Sequence, residues 1–153
     1  MNAWLMKSEP DECSIDDALA APKRLTPWTG VRNYQARNYM RDAMRVGDGV
    51  LFYHSSCPEP GIAGLAEVAS APYVDPSQFD RKSPYYDAKS KRAAPRWFCV
   101  DVRALKKTRL VPIAELSAHA ALKNMVTLRP GNRLSITPVE PDQWRAVVAL
   151  LRA

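Results

Sequence analysis

Thirteen prolines against six glycines limit the length of every element that this chain can form. Proline fixes φ and has no backbone N–H, so it interrupts helices and central strands. Pro22 ends one short helical pattern, whereas Pro112 and Pro141 stand where two other helices begin. The sequence therefore predicts short helices and strands joined by stiff, irregular connections.

The helical patterns are short, and each has a recognisable start. Ser14 is a predicted N-cap, with Asp17 at the spacing of a capping box. Asn33 is the predicted N-cap of a second helix. Apolar residues of that helix recur at the spacing of one buried face: Ala36, Tyr39, Met40, Ala43 and Met44. Residues 113–117 form a further predicted helix. A last helix, from Pro141, directs four apolar residues inward: Trp144, Val147, Val148 and Leu151.

Strand patterns occupy five segments: residues 3–6, 50–54, 62–68, 97–105 and 133–137. The second and third segments flank a short loop, so we expect them to pair as an antiparallel hairpin. Strands and short helices are interspersed without the βαβ rhythm of a doubly wound sheet. The predicted fold class is therefore a small mixed α/β or α+β barrel.

A length of 153 residues predicts one domain, residues 1–153, with a single core. The longest wholly apolar run, residues 146–151, is far below the roughly 18 residues that cross a membrane, and the N-terminus lacks a signal-peptide pattern. Cys13, Cys57 and Cys99 are odd in number and widely spaced, which argues against a disulfide framework. We expect a soluble cytoplasmic protein without a membrane partner. The oligomeric state stays open, with a monomer favoured.

Positive charge is concentrated in the second half of the chain. The net charge is +6, yet residues 1–76 carry 7 basic and 10 acidic side chains, whereas residues 77–153 carry 15 and 6. A cationic half attracts polyanions such as nucleic acid. A solvated surface that keeps a small protein soluble explains the charge run equally well. The predicted phosphate-binding residues are Arg81, Lys82, Lys89, Lys91 and Arg92.

Motifs for catalysis or for metal binding are sparse. The sequence has no GxGxxG, P-loop or HExxH pattern. His54 and Cys57 could form a nucleophile and base or half of a zinc site, but the only other histidine is His119 and no CxxC is present. We therefore predict neither a metal nor a cofactor.

Polar and aromatic residues instead cluster where apolar elements end, in four segments: residues 4–10 (WLMKSEP), 28–38 (WTGVRNYQARN), 52–56 (FYHSS) and 133–135 (RLS). Trp28 stands beside Thr29 and Gly30, so it offers a flat ring with close backbone approach. A nucleobase suits such a site, because it stacks on an aromatic ring and presents polar edges for hydrogen bonds. The alternative for Trp28 is a core residue at the helix entry.

These segments resemble the EVE domain family, which includes many small bacterial proteins. The likeness covers almost the full length of the chain, in the family's order: WLMKSEP, GVRNYQARN, FYHSS with PGIAGLAEV, SPYYD, PRW and RLSITPV. EVE domains are PUA-like and similar in architecture to YTH domains, which read methylated adenine in RNA. The resemblance implies a PUA-like small β-barrel of about five to six strands with flanking short helices. It also implies a pocket for an extruded, modified base, such as a modified cytosine.

The resemblance also suggests roles for particular residues. Lys7 and Ser8 look like the Lys-Ser pair of the YTH pocket, and Trp28 looks like its first aromatic wall. The second wall is implied in a loop that holds Phe79, Tyr85 and Tyr86. Segments and resemblance together give thirteen candidate base-binding residues: Lys7, Ser8, Trp28, Arg32, Asn33, Tyr34, Tyr53, His54, Ser55, Tyr85, Trp97, Arg133 and Ser135.

Three functions fit these observations. The first is a non-catalytic reader that takes a single modified base of DNA or RNA into an aromatic pocket. The second is a hydrolase of modified nucleosides, in which Lys7 and Glu9 would be the catalytic pair. The third is a protein-interaction module with a basic surface. We expect the reader.

Overall fold

The computed structural model describes residues 1–152 and is organised around one mixed sheet. Six strands form a curled half-barrel, as the predicted fold class requires. A separate two-stranded ribbon, β5 with β6, lies outside this sheet. The strands, in chain order, are β1 (Ala3–Ser8), β2 (Leu25–Pro27), β3 (Gly49–His54), β4 (Gly61–Val68), β5 (Tyr73–Val74), β6 (Phe98–Cys99), β7 (Asp101–Pro112) and β8 (Ile136–Val139).

The strand order of the main sheet is β2-β7-β4-β3-β1-β8. Among the described strands, only β1 and β3 run parallel, with Ala3 opposite Gly49 and Ser8 opposite His54. The hairpin predicted between the second and third segments is confirmed as the antiparallel pair β3 and β4. Because β1 and β3 are parallel, their carboxyl ends meet at one edge of the sheet.

Two apolar clusters cover opposite faces of the sheet, whereas the sequence predicted a single core. Side chains alternate between the faces of a strand, so Trp4 and Met6 of β1 join one cluster while Ala3 and Leu5 join the other. Helices close each face, because a one-layer sheet would leave half of its apolar side chains in water.

Five α-helices flank the sheet: α1 (Pro10–Cys13), α2 (Ile15–Ala20), α3 (Tyr34–Asn38), α4 (Ile113–Ala118) and α5 (Pro141–Arg152). Ser14 and Asp17 form the predicted capping box of α2. The Asn33 side chain accepts from the Ala36 N–H and caps α3. Beyond α3 the chain continues as a π-helix, Tyr39–Ala43.

The wider spacing of that π-helix keeps the predicted apolar face against the first cluster. Ala36, Met40 and Met44 are buried there. In α5, Val147 and Leu151 are buried and Trp144 packs against the second cluster, as expected, whereas Val148 stays only partly buried. Short 3-10 turns complete the fold at residues 22–24, 76–79, 120–122 and 126–128.

Two predicted strands have other limits in the structure. The strand predicted at residues 97–105 is broken at Val100, and its second part continues to Pro112. The strand predicted at 133–137 begins only at Ile136 and ends at Val139. The limits of a strand depend on the neighbouring strands with which it pairs. All of β4 pairs with β7, from Val68 opposite Val102 to Gly61 opposite Pro112, so β7 extends to Pro112. Within residues 1–152, no helix is both long and apolar enough to span a bilayer.

Candidate functional site

A cleft of about 660 Å³ opens at the edge of the sheet where β1 and β3 end. We use "the cleft" for the space enclosed by eighteen residues of β1, α1, the β2–α3 segment, the loop after β3, the loop that carries Tyr85 and the segment before β8. They are Lys7, Ser8, Glu9, Glu12, Cys13, Thr26, Pro27, Trp28, Thr29, Gly30, Val31, Arg32, Asn33, Ser55, Ser56, Tyr85, Arg133 and Ser135.

The ends of β1 and β3 form the polar base of the cleft. Backbone pairing continues past the strands, because the Lys7 N–H donates to the Ser135 carbonyl at 2.8 Å and the Ser55 N–H donates to the Ser8 carbonyl at 3.0 Å. The Ser8 hydroxyl donates to the Cys13 carbonyl at 2.6 Å. Burial lowers the pKa of Lys7. The ends of β1 and β3 and the segment before β8 thus line the same space with Lys7 and four serines: Ser8, Ser55, Ser56 and Ser135.

Trp28 forms an apolar part of the cleft wall. Its backbone N–H donates to the Val100 carbonyl at 2.9 Å, and its indole meets the Phe52 ring edge-on with centroids 5.5 Å apart. Only 7% of its surface is exposed, and it belongs to the first apolar cluster. The residue therefore has both of the roles weighed from sequence: it packs in the core and lines the cleft.

Tyr85 lines the cleft from the long connection between β5 and β6. A Cβ atom on Gly30 would come within 2.8 Å of the Tyr85 ring, so only glycine permits this approach. The phenol donates to the two carboxylate oxygens of Glu12 at 2.6 and 2.8 Å. That hydrogen bond raises the pKa of Tyr85 to about 12. Of the three aromatics proposed for the second wall, Tyr85 alone lines the cleft among the described residues.

Arg32 holds Tyr85 in place. Its guanidinium donates twice to the Tyr85 carbonyl, from Nε at 3.0 Å and from Nη2 at 2.6 Å. It also donates to the fully buried carboxylate of Asp75 at 3.2 Å and to the Ser77 hydroxyl at 3.0 Å. Asp75 in turn accepts from the Gly30 N–H at 2.9 Å. One ion pair therefore fixes both the Gly30 turn and the opposite aromatic wall.

Nine of the thirteen candidate base-binding residues line the cleft: Lys7, Ser8, Trp28, Arg32, Asn33, Ser55, Tyr85, Arg133 and Ser135. The structure does not bring the other four to it. Tyr34 stacks on Trp97, with ring centroids 4.7 Å apart, and the Trp97 indole N–H donates to Asp87 at 2.7 Å. Tyr53 is buried in the second cluster, and His54 accepts from the Ile15 N–H at 3.1 Å.

The five candidate phosphate-binding residues are all exposed. Arg81, Lys91 and Arg92 border a second, shallower hollow of about 280 Å³, separate from the cleft. Phe79 and Tyr86, the other two aromatics proposed for the second wall, line this hollow, and the Arg92 guanidinium lies 4.6 Å from the Phe79 ring centroid. We call it the basic hollow.

Sequence reasoning missed several residues of the cleft: Glu12, Cys13, Thr26, Pro27, Thr29, Val31 and Ser56. Glu12 had a usable signal, because the acidic stretch EPDE follows directly on the Lys-Ser strand end. Lys7 and Glu9 both line the cleft, but they form no ion pair in the part of the chain that the structure describes. No group of three or more metal-ligating side chains occurs within residues 1–152.

Comparison with known proteins identifies the family. A family model described as the EVE domain matches residues 2–150. The chain belongs to the EVE domain family. Among its EVE relatives, human thymocyte nuclear protein 1 is 46% identical over 96% of this chain and 72% of that protein.

Solved structures of similar proteins share the fold closely. A Pseudomonas putida protein has 47% identity and a TM-score of 0.92, with 97% of this chain and 98% of that one covered. Human THYN1, solved in complex with DNA that contains 5-methylcytosine, has 42% identity and a TM-score of 0.94, with 100% and 99% covered. These values confirm the EVE resemblance and the fold class inferred from the sequence.

Proposed function

We propose that this protein is a non-catalytic reader of nucleic acid that takes one modified base, of the modified-cytosine class, into the cleft. The observation that carries the proposal is the cleft itself, where Trp28 and Tyr85 stand around the Lys-Ser end of β1. A relative that matches this chain with a TM-score of 0.94 was solved with DNA containing 5-methylcytosine. A base inside a duplex cannot reach such a cleft, so the proposal requires that it leaves the stack.

Two kinds of contact are available to a base in the cleft. The aromatic side chains that line the cleft, Trp28 and Tyr85, offer a stacking surface. Stacking of a base on an aromatic ring is worth roughly 1–3 kcal/mol. The side chains of Lys7, Arg133, Ser55 and Ser135 line the same cleft and would supply hydrogen-bond donors to the polar edges of the base. A methyl group changes binding by about 1–3 kcal/mol, so we expect roughly a tenfold to hundredfold preference for the modified base.

Phosphates flanking the base would be held by the five exposed cations at positions 81–92: Arg81, Lys82, Lys89, Lys91 and Arg92. Such contacts are screened by salt and carry no sequence information. One stacked base, several hydrogen bonds and screened phosphate contacts amount to about 6–8 kcal/mol, which corresponds to roughly micromolar affinity.

Titration of fluorescent oligonucleotides that differ only in the methylation of one cytosine tests the proposal. Two variants probe the cleft: Lys7→Gln removes its ammonium, and Trp28→Leu removes its indole. Lys123→Gln removes the same charge from an exposed position outside the cleft and serves as the matched control. Trp28→Leu also disturbs the core, so circular dichroism must first show that it folds.

We expect the Lys7→Gln and Trp28→Leu variants to lose most of the preference for the methylated oligonucleotide, and Lys123→Gln to keep it. If Lys7→Gln and a folded Trp28→Leu both bind as the unmutated protein does, the base does not occupy the cleft. Binding that ignores nucleic acid altogether would favour the protein-interaction module.

The hydrolase that would use Lys7 and Glu9 makes a different prediction. Burial lowers the pKa of Lys7, as such a mechanism requires, but the ammonium and the Glu9 carboxylate are not paired among the described residues. Incubation of the protein with a panel of modified nucleosides separates the two functions. Unchanged nucleosides support the reader, whereas release of acetate, ammonia or free base in proportion to protein would overturn it.

The same proposal includes the setting of the protein. Its three cysteines are free among the described residues, which suits the reducing cytoplasm. We infer a monomer in which residues 1–153 form one EVE domain. Analytical ultracentrifugation at micromolar concentration tests the monomer, and fractionation of cells tests the compartment.

A further inference from the structure

Carboxylates are an unusual feature in the wall of a cleft that would receive an anionic polymer. Among the residues that line it, Glu9 and Glu12 are the acidic ones. An acidic side chain repels the phosphates of any nearby strand. A carboxylate can nevertheless bind a base, because it accepts hydrogen bonds from an exocyclic amino group such as N4 of cytosine.

Of these two carboxylates, Glu12 is held in a defined orientation. Its two oxygens share the hydroxyl proton of Tyr85, at 2.6 and 2.8 Å. Tyr85 is itself fixed, by two hydrogen bonds from Arg32 to its carbonyl and by close contact of its ring with Gly30. The Glu9 side chain makes no hydrogen bond within residues 1–152, so its carboxylate lacks a comparable support.

The hydrogen bond from Tyr85 leaves most of the acceptor capacity of Glu12 unused. An ionised carboxylate has about four lone-pair sites, and one shared phenol proton engages only part of them. The phenol can act only as a donor here, which agrees with the pKa of Tyr85 being raised to about 12 by this contact. A donor that enters the cleft would therefore find a pre-oriented anionic acceptor.

We propose that Glu12 determines which base the cleft accepts, because its carboxylate takes a hydrogen bond from the exocyclic amino group of a cytosine-type base. The inference rests on the proposed function and extends it from the modification to the Watson–Crick edge. On the same base, the acceptors N3 and O2 would face donors that the cleft supplies: Lys7, Arg133 and the hydroxyls of Ser55 and Ser135. Thymine has a carbonyl oxygen in place of the amino group, so two acceptors would meet at Glu12.

Two DNA duplexes test this assignment, one with 5-methylcytosine and one with thymine at the same position, each opposite an abasic site so that neither base is paired. The two bases share ring shape and methyl group; they differ at position 4, which Glu12 would read, and at N3, which is an acceptor in cytosine and an N–H donor in thymine. The variant is Glu12→Gln, whose amide can either accept or donate. Asp11→Asn is the control, since it removes one negative charge from an exposed neighbour outside the cleft.

The unmutated protein should bind the 5-methylcytosine duplex about tenfold more tightly than the thymine duplex. Both variants lose one negative charge and should bind both duplexes somewhat more tightly. Only Glu12→Gln should lower the affinity ratio several-fold, to a value that N3 alone still keeps above one, whereas Asp11→Asn should keep it near ten.

The possible failures are distinguishable. If Glu12→Gln keeps the unmutated ratio, or if the unmutated protein binds both duplexes equally while Lys7→Gln still weakens binding, the reader stands and the assignment of Glu12 is wrong. If the unmutated protein binds neither duplex, the proposed function falls, and this inference falls with it.

Discussion

A single guanidinium, that of Arg32, supports both walls of the cleft. It binds the Tyr85 carbonyl on one side and the buried Asp75 carboxylate, which holds the Gly30 turn, on the other. A residue with so many fixed partners has few donors left for a ligand. We therefore interpret Arg32 as a positioning residue of the cleft, although its place in the WTGVRNYQARN segment first suggested contact with a base.

Replacing Arg32 by Met should destabilise the protein by about 3 kcal/mol, because the buried Asp75 carboxylate would lose its charged partner. Chemical denaturation measures this change. The double variant Arg32→Met/Asp75→Asn should recover part of the loss, since it no longer leaves a buried charge unpaired. A double variant less stable than Arg32→Met would contradict this explanation.

His54 should make the stability of the protein depend on pH. Its Nε2 accepts from the Ile15 N–H, which requires the neutral ring, and burial lowers its pKa. Below the unfolded pKa of about 6.5, the unfolded chain then binds more protons than the folded one, so the free energy of unfolding falls as pH falls from 6.5 towards the folded pKa.

Denaturation at pH 7.5, 6.5 and 5.5 measures that dependence. His54→Gln keeps a hydrogen-bond acceptor for the Ile15 N–H but does not titrate, so its free energy of unfolding should fall less across this range. Parallel curves for the two proteins would show that His54 is not the cause.

At the scale of elements, α2 and strand β7 both approach β4 closely at Gly64. A Cβ atom there would lie 2.6 Å from the Lys106 carbonyl on β7 and 2.7 Å from the side chain of Ile15 in α2. This position adjoins the irregular register between β4 and β7. The absence of a side chain is what allows the backbone of β7 and the buried Ile15 to approach β4.

Gly64→Ala should therefore cost about 1–3 kcal/mol through overpacking. Thermal unfolding measures the change. Gly131→Ala is not a suitable control, because Gly131 has a φ of +78°. Ser117→Ala, at an exposed position of α4, should instead change stability by at most about 0.5 kcal/mol. An unchanged midpoint for Gly64→Ala would mean that β7 can move away from β4 at little cost.

At the scale of the whole molecule, the cleft and the basic hollow are separate and differ in charge. The cleft is lined by side chains of both signs, whereas the basic hollow and its surroundings are strongly cationic. Lys82, Lys89 and Lys91 are exposed and have no ion-pair partner among the described residues. Such charges suit contact with a phosphate backbone, and the cleft suits a base.

Replacing Lys82, Lys89 and Lys91 together by Gln should weaken binding to methylated and unmethylated duplexes equally. The slope of log K against log salt should decrease in magnitude by up to about 3, because each phosphate contact contributes about 0.9. The matched control replaces three other exposed cations, Lys123, Arg129 and Arg152, by Gln. Equal slopes for the two triple variants would place the phosphate path elsewhere on the surface.

Local sequence determined the helix starts, since a cap and its partner are three residues apart. Ser14 with Asp17, and Asn33 with Ala36, form as predicted. The limits of β7 and β8 could not be predicted in this way. They depend on the pairing of β7 with β4 and of β8 with β1. These partner strands are distant in the sequence, so a local pattern does not contain the information.

The sequence by itself determined the family, the mixed half-barrel fold and the strand end at Lys7 and Ser8, because continuous blocks of residues encode them. Only the tertiary structure decided that Tyr85 is the aromatic residue that lines the cleft beside Trp28. It also decided that Glu12 accepts a hydrogen bond from Tyr85. Tyr85 and Glu12 are 73 residues apart. Arg32 and the Gly30 turn hold the segment of residues 76–96 against α1 and so bring the two side chains together. A local sequence pattern cannot predict a contact between residues so far apart in the chain.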